Sequence, residues 1–161
     1  MAKETNLNAK YHQIDEAIAS KYNYSSKNDI RTLFRNYQNF SALAEKGIIV
    51  AICIKADLDW ATDFTGYHDG IFYPPLDQND KRMIYGNLIL GASQEHIGTI
   101  IGKSQSTVSN KIQYILSKVL VLLYEAGEID NENYEDISNY YDFMTTDREF
   151  LESLRNYEEV S

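Results

Sequence analysis

Two glycines four residues apart, each approached by a serine able to start a helix, constrain this chain more than any other feature. Residues 93–112 read SQEHIGTIIGKSQSTVSNKI. Ser93 is placed to cap a short helix ending at Ile101, with Ile97, Ile100 and Ile101 on its apolar face. Gly98 falls in mid-helix, where glycine costs about 1 kcal/mol relative to alanine. That position makes sense if a second helix crosses close to its backbone. Gly102 supplies the left-handed conformation that a tight turn between helices requires. Ser104 then caps a longer helix, residues 104–125, with Gly127 as its stop. Val108, Ile112, Ile115 and Val119 form its inward stripe. The reverse face presents Ser106, Ser109, Asn110, Gln113 and Ser117, with Gln105 near its start.

This pattern predicts a helix-turn-helix. In such a unit the second helix enters the major groove of DNA and meets base edges near its N-terminus. Glutamine and asparagine amides pair bidentately with adenine, and serine or threonine hydroxyls contact any base. Gln105, Ser106, Ser109, Asn110 and Gln113 are therefore the expected base-reading residues, with Thr107 a further DNA-binding residue beside them. Gln94, at the start of the first helix, is expected to hold a phosphate. Lys103, Lys111 and Lys118 are expected to neutralise phosphates.

The segments PLDQNDKRMIYGNL (75–88), SQEHI (93–97) and GKSQSTVS (102–109) together resemble the DNA-binding region 4 of bacterial sigma factors. They are most similar to small phage-type regulators with a sigma-like C-terminal module. The resemblance extends over residues 28–124. It takes in a helix like residues 30–44 and an apolar helix like IVAICIKADLDW (49–60). It implies a transcriptional regulator that binds promoter-type double-stranded DNA, with RNA polymerase as a further partner. It also departs from the family. Gly98 stands where alanine is usual, the reading face carries no arginine, and no segment matches the part of a sigma factor that binds melted promoter DNA.

The formal net charge is −9, yet the charge is unevenly spread. Residues 1–75 carry 8 basic and 9 acidic side chains, residues 76–124 carry 5 and 3, and residues 125–161 carry 2 and 12. The deficit of positive charge thus lies almost wholly in the C-terminal end, and residues 105–124 contain no acid. The sequence divides into an N-terminal helical region (1–73), a helix-turn-helix domain (74–126) and an acidic helical tail (127–161). The expected fold is all-α: N-terminal helices packed on a sigma region 4-like module, with the acidic extension following. A tail that folds over the module and competes with DNA is one expectation.

Elsewhere the spacing predicts a short N-terminal helix carrying Tyr11, Ile14, Ala17, Ile18 and Tyr22. A helix over residues 30–44 should break near Ser41, and residues 48–64 form a buried helix. Residues 65–75 read as a linker whose Tyr67, Phe72 and Tyr73 pack on neighbouring helices. Asp77 should cap the next helix, which carries Met83, Ile84, Asn87 and Leu88 and stops at Gly91. In the tail, one helix should carry Tyr134, Ile137, Tyr141 and Met144. A second should open at Thr146 with Glu149 in capping-box spacing and carry Phe150, Leu151 and Leu154.

Nothing in the pattern calls for catalysis, a cofactor or a metal. Asp57, Asp59 and Asp63 are expected to form a solvated face, and Cys53 an inert core thiol. With no apolar leader in the first ten residues and no run near the ~20 residues of a membrane span, a cytoplasmic protein is expected. The broad apolar stripe of residues 112–123 fits internal packing or a homodimer. The competing functional reading is a phage assembly, DNA-packaging or polymerase-binding adaptor that uses the helix-turn-helix for protein contacts.

Overall fold

The computed structural model describes residues 13, 14, 16–19, 21–126 and 147–160. The architecture is all-α apart from one two-stranded hairpin. After helical residues that include Ile18 come α1 (Lys27–Arg35), α2 (Tyr37–Glu45), α3 (Ile49–Asp63), β1 (Gly66–His68) and β2 (Ile71–Tyr73). Then follow α4 (Gln78–Met83), a π-helix (Ile84–Ile89), α5 (Gln94–Ile101), α6 (Gln105–Ala126) and α7 (Arg148–Val160). One apolar core joins the helices, running from Ile18 through Phe34, Leu58, Leu88, Ile97 and Ile115 to Phe150 and Leu154.

Local chemistry explains the boundaries. Ser26 caps α1 by accepting the Asp29 amide at 3.1 Å, with Asp29 in the first turn and Arg35 in the last. The expected break at Ser41 instead falls at Asn36. The Asn36 side chain donates to Thr32 O at 2.8 Å, an amide competing with the helical backbone at its own end. Ser41 is buried within α2. The apolar helix expected over 48–64 is α3.

The segment expected as a linker contains a hairpin. Asp69 (φ 50°) and Gly70 (φ 76°) are both left-handed, as a two-residue I′-type turn requires, and Tyr67 pairs with Phe72. Tyr73 is buried, but Tyr67 and Phe72 do not pack on helices. Their rings meet at a tilt of 50° with centres 5.0 Å apart, and they stand 76% and 50% exposed.

Asp77 and Asp80 form a reciprocal capping box at the start of α4. The helix expected to run on to Gly91 widens into the π-helix, which buries every residue from Ile84 to Ile89. Gly86 in that turn leaves room for Phe150 of α7, since a Cβ there would lie 2.9 Å from its ring. Asp147 opens α7 by accepting the Phe150 amide, and it receives Arg82 through Nε at 2.7 Å and a terminal nitrogen at 3.2 Å. Asp147 thus holds the capping position expected of Thr146. Thr146 and the helix expected around Tyr134 and Ile137 lie outside the described residues.

The aspartates of α3 are not a solvated face. Asp57 and Asp59 are 4% and 3% exposed. Tyr24 donates to Asp57 at 2.7 Å; Tyr37 donates to Asp59, which also takes Lys55 Nζ at 3.1 Å. Only Asp63 is half-exposed, and it faces Lys81. Cys53, expected in the core, is half-buried.

Burial lifts the Asp59 carboxyl from its ordinary 3.8 to about 6, against the pull of Lys55 and Tyr37. Between these values the folded chain holds a proton that the unfolded chain has released. Asp59 therefore weakens the fold as pH rises through 6, by up to about 3 kcal/mol at neutral pH. Asp59→Asn keeps an acceptor for Tyr37. Relative to wild type it should gain stability as pH is raised from 4 to 7, read from urea midpoints across that range. A difference that stays flat with pH would show that Asp59 is ionised throughout.

Candidate nucleic-acid interface

The elbow between α5 and α6 is built as its residues require. Ser93 accepts the His96 amide at 3.1 Å and Ser104 accepts the Thr107 amide at 3.1 Å, so both helices begin on a serine cap. Gly102 is left-handed at φ 73°. The chain then turns so sharply that the Lys103 amide donates to Gly98 O at 2.9 Å. A Cβ on Gly98 would stand 2.6 Å from the carbonyl oxygen of Lys103. The neighbour that demands glycine is the turn itself, just ahead of the second helix.

On α6, Val108, Ile112, Ile115 and Val119 are fully buried. Their burial fixes the helix's rotation and turns the opposite side to solvent. Gln105, Ser106, Thr107, Asn110 and Gln113 are exposed, and Ser109 is half-exposed. Lys103 is exposed in the elbow, and Gln94 is half-exposed as the first residue of α5. Thr107, Asn110, Lys111 and Tyr114 line an open depression of about 340 Å³. The expected reading residues thus share one accessible strip. α7 packs on α5 through the core side, against Gly86 and Ile97, and leaves this strip open.

The expected lysines do not share one fate. Lys111 is partly exposed, but its Nζ sits 3.4 Å from the Asp80 carboxylate and 5.3 Å from the Tyr114 ring centre. Lys118 is no phosphate ligand. It is 2% exposed, and its ammonium donates to Thr62 O at 2.7 Å and lies 5.8 Å from the Tyr73 ring centre. Burial lowers its pKa from 10.5 to about 8, opposed by Asp63 and Asp80. Seven residues separate Lys111 from Lys118, which places both on the edge of α6 that faces α3, α4 and the hairpin. Sequence reasoning missed this flank. Tyr73, Thr62 and Asp80 sit there, and burial together with Asp80 raises the Tyr114 phenol above its ordinary value.

Among the described residues no group of three or more acids, histidines or cysteines is placed to hold a metal. No described helix is long and apolar enough to cross a membrane. No family model matches the chain, and no curated protein or solved structure matches it either.

Gly98→Ala tests the elbow. Alanine gains about 1 kcal/mol in helix propensity. Against that, its methyl meets a backbone carbonyl that has no rotamer to escape into, and overpacking costs about 1–3 kcal/mol. The variant should melt below wild type in a thermal scan. A raised Tm would mean that the turn is looser than the geometry requires.

Proposed function

We propose that this chain is a DNA-binding transcriptional regulator that lays α6 in the major groove of promoter-type duplex. The observation that carries the reading is the sorting of α6: fully buried aliphatics on one side, exposed amides and hydroxyls on the other, behind a close-packed glycine turn. Gln105, Ser106, Asn110 and Gln113 have the donor–acceptor pairs that base edges require. Thr107 and Ser109 flank them, and we assign Gln94, at the start of α5, and Lys103, in the elbow, to the phosphate backbone.

The same geometry limits affinity. Of the lysines on the module, Lys103 alone is exposed, Lys111 is shared with Asp80, and Lys118 is buried. Few counterions are released on binding, so the log–log salt slope should be small. The exposed aromatic hairpin beside α6 favours a second reading, an adaptor that uses this face for protein contacts.

Selection of bound sequences from a random duplex pool at moderate salt separates the two. A recovered motif upholds the regulator, and a pool without enrichment upholds the adaptor. On the selected site, Asn110→Ala or Gln113→Ala should cost about 1–3 kcal/mol of discrimination for each bidentate pair lost. Lys103→Ala should reduce the salt slope by about 1, while Lys118→Met should leave it unchanged. Equal effects of the two lysine variants would contradict the assignment.

A further inference from the structure

Asp80 is a buried carboxylate fixed from two sides. Its side chain is 8% exposed. Oδ2 accepts the Asp77 amide at 3.2 Å, and the Asp80 amide donates to the Asp77 side chain at 2.7 Å, so the capping box of α4 holds the residue in place. Its other oxygen, Oδ1, lies 3.4 Å from Lys111 Nζ. That is an ion pair without the ~2.7–2.9 Å approach of a charge-assisted hydrogen bond.

Lys111 is the mobile member of the pair. Its side chain is 34% exposed, carries its charge on a flexible four-carbon stem, and lines the open depression with Thr107 and Asn110 beside the amide strip. Rotation about that stem carries the ammonium between Asp80 and the open side of the depression. Asp80 cannot follow. A phosphate at the strip would attract the charge, but taking it would leave a carboxylate shielded from water without its cation. Stripping one partner from a buried ion costs more than an exposed ionic contact returns.

We propose that Asp80 is a positioning residue that withholds Lys111 from the DNA backbone and so caps the affinity of the strip on α6. The inference rests on α6 being the helix that contacts DNA. Asp80 itself touches no phosphate. Neutralising it frees Lys111 for one more backbone contact, of the kind that carries no sequence information. The gain is therefore the same on every duplex.

Salt titration of duplex binding by the full chain, on the selected site and on a random-sequence duplex, tests the proposal. Asp80→Asn removes the charge and keeps an oxygen for the Asp77 amide. It should steepen the log–log slope by about 1 on both duplexes and tighten binding roughly tenfold at about 0.1 M salt. Asp77→Asn removes an exposed carboxylate one turn away and still caps the helix, so it should leave the slope unchanged. Asp80→Asn combined with Lys111→Met should return the slope to wild type. Lys111→Met alone, which leaves the capping box intact, should not lower it. An unaltered slope in Asp80→Asn with wild-type circular dichroism and Tm overturns the proposal. So does an equal gain in Asp77→Asn, a steepened slope that persists in the double variant, or a slope that falls by about 1 in Lys111→Met. Any of these alongside a recovered motif removes the role of Asp80 and leaves the regulator standing. A wild type that binds neither duplex removes both.

Discussion

Lys118 places an ammonium group against the carbonyl of Thr62 at 2.7 Å, in the last turn of α3, where the helix has run out of amide donors. A buried cation there would be costly on its own. The negative end of the helix, the Tyr73 ring and the nearby carboxylates of Asp63 and Asp80 offset that cost. With a pKa near 8 the group stays charged at neutral pH. The contact joins the N-terminal helices to α6 at one point on its circumference. Together with the apolar stripe it settles which side of α6 meets the core, and therefore which side meets solvent. The outward strip of amides is a consequence of what the opposite edge of the helix holds.

The same economy governs α3. Its alternation of Asp57, Leu58, Asp59 and Trp60 reads in one dimension as an amphipathic helix with a wet side. In the folded chain α3 is enclosed on more than one side, and tyrosines from distant segments supply the donors that water would otherwise give. Tyr24 lies 33 residues from Asp57, and Tyr37 lies 22 from Asp59. Some of the thirteen tyrosines are thereby accounted for: they bring a hydroxyl into an apolar layer, a task phenylalanine cannot perform. The Asp59 site remains strained electrostatically, as its raised pKa records.

What was legible in the sequence was local. Serine caps, the left-handed glycine, the inward spacing of Val108, Ile112 and Ile115, and the Asp77 capping box each depend on a few neighbouring residues. The hairpin was legible too, since Asp69-Gly70 between aromatic residues is a strong two-residue turn signal. Gly66, Gly70, Pro74 and Pro75 fit a linker equally well. The π-helix was not legible. Met83, Ile84, Asn87 and Leu88 satisfy α-helical spacing equally well, and the wider turn answers to Phe150, more than sixty residues away. Nor was the fate of Lys118, because a lysine on a helix edge has the same sequence signature whether water or a carbonyl waits beside it. The outward strip was readable by elimination, from the positions that the apolar stripe left over.

If α6 reads DNA as proposed, the molecule separates specificity from affinity. A strip of amides and hydroxyls distinguishes bases through paired hydrogen bonds, and such bonds weaken little with salt. Phosphate neutralisation supplies the sequence-independent part of binding, and on the proposed reading it would rest on exposed Lys103 and on Lys111, which is shared with Asp80. A protein built this way gains little from indiscriminate contact with DNA. On that reading, additional binding energy would have to come from a second contact that does not depend on phosphate. The exposed Tyr67 and Phe72 rings on the hairpin would suit that role, because their contribution is the removal of apolar surface from water.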